Sequence, residues 1–339
     1  MAPFAFQAGR AARDLGVLAA LRTPPEGVDS ATVCGLTGLP ATSVDALLDA
    51  CLAVGLVAEC TPGRWRLTTV GTVWLNDPQV GVDAEFTHAV CWAGLADLGE
   101  SLRQGKPIGL RHLGPWATIY EGLTSLPDSV RAPWFAYDHS HSDAAFAEAL
   151  VHLRTAGVRR VLDVGGNTGR FALALLDGDP AATVTILDHP GQVREATANL
   201  AAAGFAARGT CQALDLLDHA VAFPTGQDAV WMSQFLDCFG PADVIALLAR
   251  ARRALAPGGR VWVLEVCPDR QHEAAAAASL RLASLYFTAI ANGVSRFYRS
   301  TDLLAMAASA GLRTVAIHDG LGTAHSLFCF EPAPLPMAD

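Results

Sequence analysis

The chain has 339 residues and a formal net charge of −9, with 51% hydrophobic and 17% charged residues, so it can bury a large core and is long enough for two domains. The acidic balance argues against a nucleic-acid partner, which needs a basic surface to displace phosphate counterions. No run of about 20 apolar residues suggests a membrane span and no basic-then-apolar leader opens the chain. The eight cysteines form no C-x-x-C pair and scatter like small hydrophobes in a reducing compartment, so the expected location is cytoplasmic, with no membrane partner.

Residues 1–83 read as a winged helix. Phe6 to Leu21 has apolar residues at helical spacing and ends before Thr23-Pro24-Pro25. Ser30 can cap a short helix through Leu36, and Thr42-Ser43 opens another through Val54. Leu56 to Glu59 and Trp65 to Thr68 then read as strands around Pro62-Gly63. A DNA-reading helix needs basic and amide side chains. The second helix here carries Asp45 and Asp49 and no Lys or Arg, so the domain reads as a dimerisation and substrate-covering element, or as an ordinary helical cap. Residues 84–150 form a mostly helical linker rich in Trp, Tyr, Phe and His, including Trp116, Tyr120, Trp134, His139 and His141. Such residues fill cores or line a pocket for a flat ring.

Residues 151–339 change texture. Val161 to Val164, Thr183 to Leu187, Gly209 to Leu214, Ala229 to Ser233 and Arg260 to Val266 read as strands with helices between most of them. That alternation predicts an α/β fold, a Rossmann-like doubly wound sheet. Arg313 to His318 and His325 to Phe330 suggest a hairpin closing its edge. Asp163-Val164-Gly165-Gly166-Asn167-Thr168-Gly169 joins the first strand to the first helix, and Asp188 ends the second strand. Glycines there let backbone approach a ligand, and an acid about twenty residues on is placed for ribose hydroxyls. The ligand is a dinucleotide or S-adenosylmethionine (SAM). The D-x-G-x-x-x-G spacing differs from the dinucleotide fingerprint, and Asp163 suits a cation and would repel a pyrophosphate.

The string V-L-D-V-G-G-N-T-G resembles the first motif of class I SAM-dependent methyltransferases, in the form used by small-molecule O-methyltransferases. Ile186-Leu187-Asp188-His189-Pro190, Leu214-Asp215-Leu216 and Ala256-Pro257-Gly258-Gly259-Arg260 resemble the later motifs. The resemblance covers nearly the whole chain and implies SAM as cofactor and a homodimer. It implies that Gly165 and Gly169 border the methionine part, that Asp188 holds the ribose, and that Asp215 and Leu216 flank adenine. Ser233 would lie beside the ribose or the carboxylate. His139, Ser140 and Ser142 would approach the carboxylate, unless Ser142 simply caps a helix start.

One part of the pattern breaks. In this family a histidine, backed by acids, takes the proton of the methylated phenol. Its position in Trp231-Met232-Ser233-Gln234-Phe235-Leu236-Asp237-Cys238-Phe239 is Asp237, the acid after it is Cys238, and the backing glutamate before Arg299 is Tyr298. Three readings stand: Asp237 is the base with a pKa raised by burial; His139, His141 or His325 serves; or a ring carbon ortho to the hydroxyl is methylated. Asp237 could also merely cap the helix before Pro241. F-x-x-D-x-S-x-S-D, W-M-S-Q-F-L-D-C-F and S-L-Y-F-T-A-I-A-N-G resemble the narrower group of aryl polyene cluster methyltransferases. That implies a small hydroxyphenyl substrate, free or carrier-bound, in secondary metabolism. Gln234, Asp237, Tyr286, Asn292 and Tyr298 would line its pocket; Tyr286 could equally pack the core, and Asn292 could end a helix. No metal is expected, since the histidines lack ligand spacing. The alternatives are a SAM-fold protein with hydroxylase or pericyclase-like chemistry, and a winged-helix regulator.

Overall fold

The computed structural model describes residues 1–22 and 26–334. They form two compact units, Met1–His88 and Ala89–Asp339. In the first, α1 (Ala2–Asp14), α2 (Val17–Ala20), α3 (Ser30–Thr37), α4 (Ala41–Ala53), α5 (Thr69–Asn76) and α6 (Pro78–Phe86) accompany a three-stranded antiparallel sheet. Its strands β1 (Val28–Asp29), β2 (Val57–Thr61) and β3 (Arg64–Leu67) run in the order β1-β3-β2. This is a winged helix with an edge strand that residue patterning misses, because two residues carry no periodicity. Asp29 caps α3, accepting from the Thr32 N–H at 2.8 Å, so Ser30 is the first helical residue rather than the cap. The helix expected over Phe6–Leu21 breaks at Gly16, whose φ of +81° suits glycine. The stop at Thr23-Pro24-Pro25 lies outside the described residues. Ala12, Leu18, Val33, Val44, Leu48 and Cys51 build this unit's core.

The second unit opens with α7 (Leu98–Gln104), α8 (Ile119–Gly122) and the 28-residue α9 (Asp128–Thr155). It continues through β4 (Arg160–Val164), α10 (Arg170–Gly178), β5 (Thr183–Asp188), α11 (Pro190–Ala202), β6 (Gly209–Ala213), β7 (Gln227–Ser233), α12 (Pro241–Ala254) and β8 (Leu255–Val266). It ends with α13 (Ala274–Ala283), α14 (Ser300–Ser309), β9 (Leu312–Leu321) and β10 (His325–Pro332). The sheet order is β6-β5-β4-β7-β8-β10-β9. The first five strands are parallel, and β10 pairs antiparallel with both β8 and β9, giving the hairpin edge read from the sequence.

Period-two alternation sorts the strands' side chains between two cores. Leu162, Val230, Met232, Val261 and Val263 face α12 and α14, where Val244, Leu247, Leu303 and Met306 are buried. Val161, Ala229, Trp231, Trp262 and Leu264 face α9 and α10, packing on Phe146, Leu150 and Phe171. Trp231 stacks on Phe171 at 4.1 Å. With both faces covered, the parallel strands read as continuous apolar runs. The chain winds outward from β4 to β6 and returns through β7, so the crevice at the carboxyl ends of β4 and β7 is the switch point where ligands bind.

The run Ala274–Ala291 comes within reach of a membrane span by apolarity, with 18 residues against the about 20 needed. Its Phe287, Ala289, Ile290 and Ala291 are buried in the protein interior. All eight cysteines are unpaired.

Candidate active site

The glycine loop folds as it does because its residues accept left-handed backbone. Gly165, Asn167 and Gly169 have φ of +75°, +50° and +84°. The Gly165 N–H donates to Leu187 O at 2.8 Å, fastening the loop to β5. Asp188 completes the seam: its carboxylate accepts from the N–H groups of Asn167 at 2.8 Å and His189 at 2.6 Å. A Cβ on Gly165 would come under 3.0 Å from the Phe235 ring, and one on Gly166 would lie 2.6 Å from Asp163 Oδ2.

α9 arrives over this loop. Asn167 Nδ2 donates to Asp138 Oδ2 at 3.0 Å, and Thr168 Oγ1 lies 3.3 Å from His139 Nε2. Ser142 stands one turn on, buried, its hydroxyl donating to Asp138 O at 3.1 Å. It sits well inside α9, so the reading of it as a helix-start cap is corrected: the 28-residue helix begins at Asp128. At the far end of the crevice Asp215 is exposed, accepting from the Leu217 N–H at 2.9 Å. Leu216 is buried, and its carbonyl accepts from Arg250 Nη1 at 2.6 Å.

Several polar atoms at the mouth are buried without a partner among the described residues: Asp163 Oδ2, Asn167 Oδ1, Ser233 Oγ and Glu265 Oε2. Burial, with Asp188 beside it, pushes Asp163 up to about 8. Burial also raises Asp138 to about 6 and raises Asp188. Unpaired buried carboxyls are costly until a cation or donors meet them. These groups fit SAM, which brings a sulfonium, an ammonium and two ribose hydroxyls.

The turn after β7 forms the other wall. Gln234 is held at φ +46°; its N–H donates to Leu264 O at 2.9 Å, and its Oε1 lies 3.2 Å from His325 Nε2. His325 is 1% exposed, and burial, with His141 nearby, drives it down to about 4, so it is neutral at pH 7. Burial also lowers His139. Asp237 is 5% exposed, in the turn Leu236–Cys238, and accepts from the Cys238 thiol at 3.4 Å. Burial pushes it up to about 7.

Three side chains clamp this turn by its backbone. Glu265 Oε1 accepts from the N–H groups of Phe235 at 3.0 Å and Leu236 at 2.8 Å. Asn292 Nδ2 donates to Cys238 O at 2.7 Å and to Ser295 Oγ at 2.8 Å, while its Oδ1 accepts from Val294 and Ser295. The Tyr298 hydroxyl donates to Phe239 O at 2.6 Å. Asn292 and Tyr298 thus spend these polar groups on backbone. Tyr286 accepts from Trp134 Nε1 at 2.8 Å. The sequence reading assigned no role to Glu265; an acid near the end of an apolar strand beside the glycine crevice was the available signal. It also passed over Asp138, which lies inside the quoted F-x-x-D-x-S-x-S-D string. Among the described residues no group of three or more His, Cys, Asp or Glu could hold a metal ion.

Residues 118–313 match the family described as an O-methyltransferase domain. The L-tyrosine C(3)-methyltransferase of Streptomyces lavendulae is 31% identical over 290 residues, covering 84% of this chain and 77% of that protein. The 2,7-dihydroxy-5-methyl-1-naphthoate 7-O-methyltransferase of Streptomyces carzinostaticus is 27% identical, covering 85% and 84%. The crystal structure of the apo SAM-dependent methyltransferase SibL superposes with a TM-score of 0.75 at 29% identity, covering 97% of this chain and 96% of that one. With the acid-lined crevice at the switch point of its sheet, the chain belongs to the O-methyltransferase-domain family of class I SAM-dependent methyltransferases.

Proposed function

We propose that this enzyme methylates a small hydroxylated aromatic ring, at the carbon ortho to a hydroxyl, with Asp237 as the base. The observation that carries the reading is a buried carboxyl, raised to about 7, at the position where the family resemblance implies a histidine. The tyrosine C-methyltransferase among the relatives supports ring carbon as the acceptor. Oxygen is the second reading, favoured by the naphthoate O-methyltransferase.

Asp163, Gly165 and Gly169 would hold the methionine end of SAM, with Ser142 and His139 above it from α9. Asp188 would take the ribose, Ser233 the ribose or carboxylate, and Asp215 with Leu216 the adenine. Bound SAM supplies an electrophilic methyl group on a sulfonium. The protein's part is to align acceptor and methyl and to move one proton. Asp237 takes the hydroxyl proton, which spreads negative charge over the oxygen and the ortho carbon. After that carbon gains the methyl, the ring C–H proton leaves to water. Asp237 returns its own proton to the oxygen as the ring regains aromaticity. Glu265, Asn292 and Tyr298 hold the Asp237 turn in place, and Gln234 and Tyr286 complete the pocket wall.

Incubation with SAM and a panel of 4-hydroxyphenyl acids, amines and thioesters tests this. The expected product gains one methyl, and NMR locates it on the ring. A product methylated on oxygen selects the second reading; SAM binding with no methylated product from any phenol overturns the proposal.

We also propose a cytoplasmic homodimer built through the first unit, which exposes Phe4 at 73%, Leu36 at 67% and Val70 at 60%. Exposed large apolar side chains mark interfaces where they gather into a patch. Light scattering is expected to give about twice the 35.5 kDa chain mass, and a mass near 35.5 kDa would exclude the dimer.

A further inference from the structure

Tyr120 stands on α8, a short helix that is nonetheless firmly seated. Ile119 is fully buried, and the Trp116 ring occupies the space where Gly122 would carry a side chain. The Tyr120 hydroxyl is buried, and what the chain sets beside it is the Cys238 sulfur, a weak acceptor. The groups whose charges act on it are Cys238, Tyr286 and Asp237, so it looks onto the same space as the proposed base. The phenol of Tyr286 already accepts from Trp134. A buried hydroxyl left unpaired costs free energy that a phenylalanine of the same shape would not. With only the Cys238 sulfur beside it, this hydroxyl has its proton available for a stronger acceptor than the chain provides.

We propose that Tyr120 donates a hydrogen bond to the ring oxygen of the acceptor, facing Asp237 across it, and so sets the enzyme's requirement for a hydroxylated ring. The inference rests on the reading of Asp237 as the base. An ionised carboxylate can only accept. Once the acceptor's oxygen has given up its proton, it needs a donor for the charge it gains. Tyr120, whose hydroxyl has no strong acceptor in the chain, supplies such a donor in addition to the proton that Asp237 then holds. Burial holds its own pKa well above the usual 10, so it remains a donor over the working range. A donor on the oxygen also draws on its lone pairs and leaves the ortho carbon as the nucleophile.

The test compares wild type, Tyr120→Phe and Asp237→Asn on matched probe pairs: L-tyrosine with L-phenylalanine, and tyramine with phenethylamine. Affinities are measured by calorimetry in the presence of S-adenosylhomocysteine, and kcat/KM with SAM on the hydroxylated members. Wild type is expected to prefer the hydroxylated member of a pair. Tyr120→Phe is expected to lose that preference by about tenfold or more and to lower kcat/KM by about 10²–10³-fold. Its melting temperature should change little, because only the weak contact with the Cys238 sulfur is lost, and its SAM affinity should be unchanged. Wild-type preference and kcat/KM in Tyr120→Phe would overturn the proposal. If Asp237→Asn is inactive in that case, only the role of Tyr120 falls. If Asp237→Asn retains wild-type kcat/KM, or wild type ignores the hydroxyl in every pair, the reading of the whole site falls with it.

Discussion

Asp237→Asn is expected to lower kcat by about 10²–10⁴-fold, the usual worth of a positioned general base, with SAM affinity little changed. The amide keeps the size of the carboxylate and its contact with the Cys238 thiol, but it cannot take a proton. The turn holds its shape without Asp237, because Glu265, Asn292 and Tyr298 grip the backbone of Phe235, Leu236, Cys238 and Phe239. The loss is therefore chemical and not a matter of folding. The pH profile carries the same signature. The base works ionised, and burial has raised Asp237 to about 7. Wild-type kcat/KM should fall as pH drops through that region and level off above it. Burial, with Asp237 beside it, holds Glu265 well above the usual carboxylate range. In Asp237→Asn this limb should disappear from the residual activity. Steady-state kinetics from pH 5.5 to 9, with calorimetry for SAM, checks both; a variant with wild-type kcat and an intact acid limb would exclude Asp237 as the base.

Gly165→Ala is expected to reduce SAM affinity by about 10²-fold or more and to destabilise the fold by about 1–3 kcal/mol. Two costs coincide at this position. The backbone sits at φ +75°, where an L side chain is strained. The added Cβ would also come under 3.0 Å from the Phe235 ring, whose backbone N–H is held by Glu265 at 3.0 Å. Relief requires the loop or the Asp237 turn to shift, and either movement spoils the crevice between Asp163, Asp188 and Ser233. Gly258→Ala is the control. Its φ of +80° imposes the same backbone strain, but nothing lies within 4 Å of the added carbon. It should lose about 1 kcal/mol and bind SAM as wild type does. Denaturant melts and SAM titrations of the two variants separate the terms. Equal SAM binding by wild type and Gly165→Ala would show that the loop does not meet the cofactor at Gly165.

The sheet and the cofactor loop were legible because their signals are local. The strands β4, β5 and β7 are short apolar runs, helices follow at their own period, and the left-handed turn demands glycine at 165 and 169. Asp188 could be placed from spacing alone, since a βαβ unit fixes where the second strand ends relative to the loop. The absence of a histidine at position 237 was equally plain, because motifs run in sequence.

What surrounds Asp237 was decided only in three dimensions. Glu265 reaches the turn from a strand about 30 residues on. Asn292 and Tyr298, both expected in the pocket wall, reach its backbone from more than 50 residues away. Asp138 meets the glycine loop through Asn167 across 29 residues, and Tyr120 comes beside Cys238 from a separate helix. A hydrogen bond between distant segments leaves no period or spacing in the chain. It exists because packing removes the water that would otherwise satisfy both groups. The same removal of water raises the carboxyls at 138, 163 and 237. Sequence by itself determined the sheet, the loop and the cofactor; burial, set by the tertiary fold, decided which acids are raised towards neutral pH.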